Sequence, residues 1–425
     1  MTRPARLVVR TEPIDPLESL LDALPDVETP QTFAWIRGGE GFVGWGRAAF
    51  VETAGATRFE DARLWWNEVR AHTSVEDHVG LPGCGLLGFG SFAYSADSPA
   101  GATLVVPQTI IGHRAGIWWR TRVGVVQADG DVTFAPTPDA ASPRPHPPGR
   151  TTFAPGRLSP EAYGHAVGTA VERIGSGEVE KVVLARDEVV HATHPIDARW
   201  LLGRLTDDYP RTWVFSVDRL IGATPEMLVR LERGLVTSRV LAGTIRRTGD
   251  DGVDLALAAG LARSSKDLEE HEYAVRSVAD ALAPYCTSMN VPDSPFVLHL
   301  PNVMHLATDV AGRLINGADS LRLAASLHPS AAVCGTPTPV ADALITELEG
   351  FDRDRYAGPV GWIDADGDGE WGIALRSGRI DAHDPSAMRL YAGCGIVVGS
   401  EPADEIAESN AKLMPMKNAF TDRPA

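Results

Sequence analysis

The chain has 425 residues, 44% hydrophobic and 22% charged, the balance of an ordinary globular protein. Its 39 basic and 56 acidic side chains give a formal charge of −17, which excludes a nucleic-acid-binding or anionic-membrane surface, since both need a basic patch. There is no run of about 18 apolar residues and no basic, apolar leader, so no membrane contact is expected and a cytoplasmic location is.

Taken in chain order, short β-branched runs at Arg6–Arg10, Thr103–Pro107, Ile117–Val126 and Val132–Phe134 predict strands, with a helix over Arg58–Thr73 between them. Prolines crowd residues 136–157, which reads as a mobile loop. A helix over Ser159–Ser176 follows, opened by Ser159-Pro-Glu with proline at its first position. The run Lys181–Arg186 predicts a strand and Ala198–Asp208 a helix. Further helices are expected over Leu255–Cys286, broken near Gly260–Ser265, and over Asp319–Leu327. In the second part of the broken helix Leu268, Val275, Val278 and Leu282 form the buried stripe. A last helix starts near Ala403 and should kink or end near Pro415.

The pattern is mixed α/β with many strand–turn–strand steps, so we expect an α+β fold of large antiparallel sheets layered as a sandwich, with helices outside. One large domain over 1–425 is expected, with a strand-rich part at 1–135, the proline-rich loop at 136–157 and a second part at 158–420. The four cysteines, Cys84, Cys286, Cys334 and Cys394, show no CxxC or Cys/His ligand spacing and read as reduced, buried thiols.

Two motifs mislead. Gly83-Cys-Gly-Leu-Leu-Gly88 matches the dinucleotide-binding string but precedes a strand-like run, Phe89–Tyr94, with no βαβ unit around it. Asp364-Ala-Asp-Gly-Asp-Gly369 resembles the start of an EF-hand loop, yet Leu375 stands where a bidentate Glu is required. A hairpin turn between Val360–Ile363 and Trp371–Leu375 is the better reading.

Two acidic helices carry more chemistry. Glu405, Glu408 and Lys412 fall at i, i+3 and i+7, which puts them on one helix face, and Asp267 and Glu270 repeat the i, i+3 pair. Two such faces together suit a hard divalent cation, Mg²⁺ above all, although an isolated acidic pair is ordinarily a solvated surface. Lys181 opens an apolar strand, where burial would make it a general base; a lysine at a strand edge reaching water is the plain alternative. Glu226 follows Gly222-Ala-Thr-Pro in an apolar stretch, placed either to act as an acid or to cap a helix. Arg376, at the end of Trp371–Leu375, suits a bidentate carboxylate grip or a surface ion pair, and His305 a ligand contact or a core hydrogen bond.

The segments Lys181-Val-Val-Leu-Ala-Arg186, Gly222-Ala-Thr-Pro-Glu226, Leu241-Ala-Gly-Thr244, Lys266-Asp-Leu-Glu-Glu-His271, Val303-Met-His-Leu306, Leu327–Pro337, Arg355–Gly361 and Ala392–Gly399 lead to the Glu405/Glu408/Lys412 helix. In this order they resemble the motifs of the chorismate-utilising enzymes, which include isochorismate, salicylate, anthranilate and aminodeoxychorismate synthases. The resemblance covers about 160–420; residues 1–135 share it chiefly through Gly88–Phe92.

It implies that 158–420 is a chorismate-binding catalytic part that uses Mg²⁺. Glu270 and Glu408 would hold the metal, with Asp267 and Glu405 bonded to its waters; the family more often has Glu where Asp267 stands. Thr244, Gly243, His305, Tyr356, Arg376, Gly393 and Lys412 would bind the substrate. A metal, Arg376 and Lys412 would then locally outweigh the −17 field that repels an anionic substrate.

Family members that add water carry a lysine at the Lys181 position, whereas those using ammonia tend to lack it, because water needs a base at neutral pH. Lys181 would activate water and Glu226 would protonate the departing hydroxyl, with no glutaminase partner expected. Aminodeoxychorismate synthases carry a lysine where this chain has Ala242. The resemblance thus implies an isochorismate synthase of a menaquinone or siderophore pathway. A salicylate synthase, a catalytically inactive chorismate- or metal-binding protein, and an NAD-dependent oxidoreductase remain as alternatives.

Overall fold

The computed structural model describes residues 6–27, 31–136, 143–300, 303–315 and 317–421, the side chains of Lys266 and Glu270 excepted. Its strands form two sheets, of 14 and 10 strands. Pairing among them is antiparallel apart from the parallel contact of Leu7–Pro13 with Thr73–Asp77. The layered α+β sandwich expected from the strand–turn–strand pattern is the fold observed.

Both sheets draw strands from either side of the proline-rich segment. In the larger sheet Thr32–Arg37 pairs with Trp213–Val217, and in the smaller Leu87–Phe92 pairs with Pro359–Asp364. Alternation along Thr32–Arg37 shows how the layers form. Phe33 and Trp35 point between the sheets and pack with Phe42, Phe89, Phe215 and Trp362, whereas Ala34 and Ile36 point outward. The outward pair lies beneath Leu201, Leu202 and Leu205 of the helix Ala198–Asp208. Each fully buried residue of this kind contributes roughly 1.5–3 kcal/mol, so the aromatic layer holds the sheets face to face.

Several expected elements are found close to their predicted limits. The helix Pro160–Gly175 starts at Ser159, whose Oγ accepts the N–H of Ala162. The broken helix is two helices, Asp251–Leu261 and Ser265–Leu282, with Val275, Val278 and Leu282 buried and Leu268 half-buried. All four cysteines are free and buried. Gly83 and Gly85 lead into the strand Leu87–Phe92, which contains Gly88, and a Cβ on Gly83 would meet the Phe42 ring at 2.2 Å, so packing accounts for that glycine. The Asp364–Gly369 run turns between the paired strands Pro359–Asp364 and Gly369–Ile373. Among the described residues no helix is long and apolar enough to cross a membrane.

Three expectations need correction. Residues 136–157 are not loop throughout: Thr151–Pro155 is a strand on Lys181–Ala192, and Pro143 O accepts from Arg199 Nη1 at 2.9 Å. Residues 137–142 lie outside the described residues. Of the kink or end expected near Pro415, the end is not found there, since the C-terminal helix is Pro402–Ala419. Leu413, Met416, Ala419 and Phe420 are buried under the larger sheet, and this packing outweighs the hydrogen bond the proline forgoes. The strand carrying Arg376 ends at Ile373, which leaves Arg376 in the link to the next strand.

Candidate active site

Two short links carry the chain from one sheet to the other side by side. Leu220–Thr224 of the larger sheet passes through Pro225 and Glu226 into Met227–Glu232 of the smaller. Gly369–Ile373 of the smaller sheet passes through Ala374, Leu375 and Arg376 into Ser377–Ile380 of the larger. The links are tied together, Ala223 N donating to Arg376 O and Ile373 N to Glu226 O, both at 3.1 Å. Proline has no N–H for a ladder, so Pro225 suits the break. Arg376 adopts φ +48°, the left-handed conformation of a sharp turn. Here Glu226 and Arg376 enter the wall of a cavity of about 160 Å³.

A bulge shapes the second wall. Pairing of Leu235–Arg246 with Val303–Leu314 shifts register between Ala242 and Thr244, with Gly243 at φ +75° as the extra residue. A Cβ on Gly243 would lie 3.1 Å from Asp267 Cβ, so the glycine lets the helix Ser265–Leu282 approach and bring Asp267 into the cavity. Beyond the bulge Thr244 Oγ1 lies 3.0 Å from His305 Nδ1. His305 is buried and held well below its usual pKa by desolvation, with Arg376 and Lys412 adding to it, so the ring is neutral. Its Nε2 is buried with no hydrogen-bond partner among the described residues, which leaves one ring nitrogen for a ligand.

The C-terminal helix forms the third wall. Its one-faced spacing places Glu405, Glu408 and Lys412 all against the cavity. Lys412 Nζ donates to Glu408 Oε1 at 2.6 Å and to Gly393 O at 2.9 Å. Burial acts to lower the Lys412 pKa, but its electrostatic surroundings, the Glu408 carboxylate among them, outweigh it and hold the ammonium above its usual value. Glu405, Glu408 and Cys394 offer atoms within 4.8 Å of one another. Desolvation pushes the Cys394 thiol far up, so it stays protonated and the donors left are carboxylate oxygens. Tyr356 stacks on Tyr391 with ring centroids 5.2 Å apart, and a Cβ on Gly393 would lie 3.3 Å from its hydroxyl.

Lys181 and Glu226 face this same cavity. Lys181 is only 7% exposed and heads the strand Lys181–Ala192, paired with Thr336, so it does not reach out to bulk water. Glu226 is buried, and desolvation pushes its carboxyl up to about 8 against the opposing pull of Lys181, Arg376 and Lys412. A protonated acid therefore stands beside Lys181, Arg376 and Lys412 at neutral pH.

Of the residues singled out in the sequence, Lys181, Glu226, Gly243, Thr244, Asp267, His305, Tyr356, Arg376, Gly393, Glu405, Glu408 and Lys412 all line one cavity. The side chain of Glu270 lies outside the described ones. Two residues at the site were missed, Arg353 in the cavity lining and Cys394 beside Glu405 and Glu408. Arg353 is buried and anchored to Glu349 Oε2 at 2.9 Å and to Val333 O at 2.8 Å. Its i, i+4 spacing from Glu349 was the available signal. Cys394, read only as a buried thiol, sits beside the acidic pair, and nothing in its spacing marks it.

Residues 2–421 match the model of a family described as chorismate binding enzyme. The isochorismate synthase DhbC of Bacillus subtilis is 38% identical over 273 residues, covering 61% of this chain and 68% of that one. The salicylate biosynthesis isochorismate synthase of Pseudomonas aeruginosa is 32% identical over 435 residues, covering 96% of this chain and 88% of that one. A solved structure from Bacillus anthracis, assigned as a 2,3-dihydroxybenzoate-specific isochorismate synthase, superposes with TM-score 0.75 at 31% identity and covers 94% of this chain and 98% of its own. With a match running through both sheets and every wall of the cavity, the chain belongs to the chorismate-binding enzyme family.

Proposed function

We propose that the protein is an isochorismate synthase, converting chorismate to isochorismate by exchanging a hydroxyl at C4 for one at C2. The observation that carries this reading is the pairing of a carboxyl pushed up to about 8, Glu226, with a buried lysine, Lys181, in one cavity. Lys181, in its neutral form, takes a proton from a water molecule whose oxygen bonds to C2. The ring double bonds shift, the C4–O bond breaks, and Glu226 delivers its proton to the departing hydroxyl, releasing water. Water consumed and water released balance, so the net change is an isomerisation.

Arg376 and Lys412 bind the substrate carboxylates, with Tyr356, Thr244 and the backbone of Gly243 and Gly393 completing the contact surface. His305, neutral and hydrogen-bonded to Thr244, offers its other nitrogen to the substrate. The donors at the acidic wall suit a hard cation, because they are carboxylate oxygens beside a thiol that stays protonated. Glu408 and Glu270 would hold Mg²⁺, with Asp267 and Glu405 bonded to its waters. When bound, Mg²⁺ supplies positive charge that offsets an anionic substrate in a chain of net charge −17.

The reading is tested by incubating the protein with chorismate and Mg²⁺, separating products by chromatography and assaying pyruvate in parallel. Isochorismate without pyruvate is the expected result. Salicylate with equimolar pyruvate would move the protein to the lyase reaction, and product formed only with ammonia would remove Lys181 as a water-activating base.

A further inference from the structure

Away from the site described above, a second cavity of about 370 Å³ lies between the start of the helix Arg58–Ala71, the turn at Tyr94–Ala96 and the end of the helix Ser320–Leu327. Its wall holds a cation that the fold does not neutralise. Arg58 is 6% exposed and donates only to the backbone carbonyls of Gly55, Ala93 and Tyr94, at 3.2–3.3 Å. No carboxylate among the described residues lies within 4 Å of its guanidinium. Its Nε is buried without a hydrogen-bond partner.

A buried, unpaired guanidinium is costly unless an anion reaches it. The two carboxylates in the same wall do not serve. Glu60 is engaged by Arg63 at 2.7 Å and approached by Arg322 at 3.8 Å, and Asp342 forms no salt bridge with Arg58. Beside Arg58 the wall is aromatic, with Phe59, Tyr94 and the ring of His328 at 5.9 Å from Phe59 and 5.7 Å from Tyr94. Burial pulls His328 down to about 4, with Arg58 adding to this, so it presents a neutral ring. We propose that this cavity is a second ligand site, which binds a small organic carboxylate with its charge on Arg58 and its apolar body against Phe59, Tyr94 and His328.

The site adjoins the catalytic cavity without sharing its lining. Tyr94 lies under the guanidinium of Arg353, 4.5 Å from ring centroid to Cζ, and Arg353 borders the catalytic side. The segment from His328 leads to Ala332 and Val333 of the catalytic wall.

Titration calorimetry of the full chain with benzoate tests the proposal, with benzyl alcohol as the neutral counterpart. Benzoate should bind at one site and benzyl alcohol at least tenfold more weakly. Ala96→Trp fills the cavity from a half-buried turn while leaving the Arg58 residue itself in place, and should weaken benzoate at least tenfold while retaining the wild-type circular dichroism spectrum. Arg58→Gln should do the same; should it lose its fold, Ala96→Trp still decides. Lys412→Gln, an alteration in the catalytic cavity, should leave benzoate binding unchanged. Equal binding to wild type and Ala96→Trp, equal binding of benzyl alcohol, loss of binding in Lys412→Gln, or no benzoate binding would each overturn the proposal.

Discussion

The ammonium of Lys412 lies 2.6 Å from Glu408 Oε1, one helical turn away on the same face of the C-terminal helix. The pair is a local device, since i, i+4 spacing brings the side chains together wherever the helix is placed. Its position against the cavity gives it a further consequence. A cation on Glu408 and an anion on Lys412 would each weaken the bond between them, so metal and substrate are expected to load together.

Glu408→Gln should raise the Mg²⁺ concentration for half-maximal activity by about tenfold or more. The check is a magnesium titration of turnover at saturating chorismate. An unchanged midpoint would take Glu408 out of the metal site.

Lys181→Ala and Glu226→Gln should each lower turnover about 10²–10⁴-fold, the range for removing a positioned acid or base. Circular dichroism would separate chemistry from misfolding. Near-wild-type rates in either variant would defeat the acid–base assignment.

Glu226 also sets a pH dependence. It donates only while protonated, so turnover should fall as pH rises through about 8, and that limb should vanish in Glu226→Gln. Stability gives an independent readout. The folded carboxyl titrates at about 8 against 4.5 when unperturbed, so the folded state binds more protons than the unfolded one between those values. Stability from this group is therefore lost as pH rises from about 4.5 to about 8. The melting temperature of Glu226→Gln should gain on wild type across that window and then level off.

Arg353 and Glu349 form a buried pair, with Glu349 Oε1 also accepting the N–H of Ala185 at 2.6 Å. Glu349→Ala strands the Arg353 charge and should lower the unfolding free energy by about 3–5 kcal/mol. The urea midpoint measures this, and a shift no larger than that of an exposed Glu→Ala control would show the pair to be dispensable.

The sequence by itself determined the local elements and singled out residues that the fold gathers in one cavity. Apolar periodicity marks Ser159–Ser176, Ala198–Asp208 and the break near Gly260 within a residue or two, because burial of one face is written into neighbouring positions. The i, i+3, i+7 spacing of Glu405, Glu408 and Lys412 likewise fixes a shared face before any partner is known. At Pro415, where a kink or an end was expected, the helix runs on to Ala419 because burial beyond the proline outweighs one missing hydrogen bond. Tertiary structure alone decided that Glu226 and Arg376 stand on adjacent links between the sheets, that a bulge at Gly243 admits Asp267, that Arg353 borders the same space, and that Cys394 lies beside Glu405 and Glu408. These arrangements depend on which distant strands pair and in what register. Pairing of that kind is settled by long-range burial of whole sheets rather than by the residues next to each position.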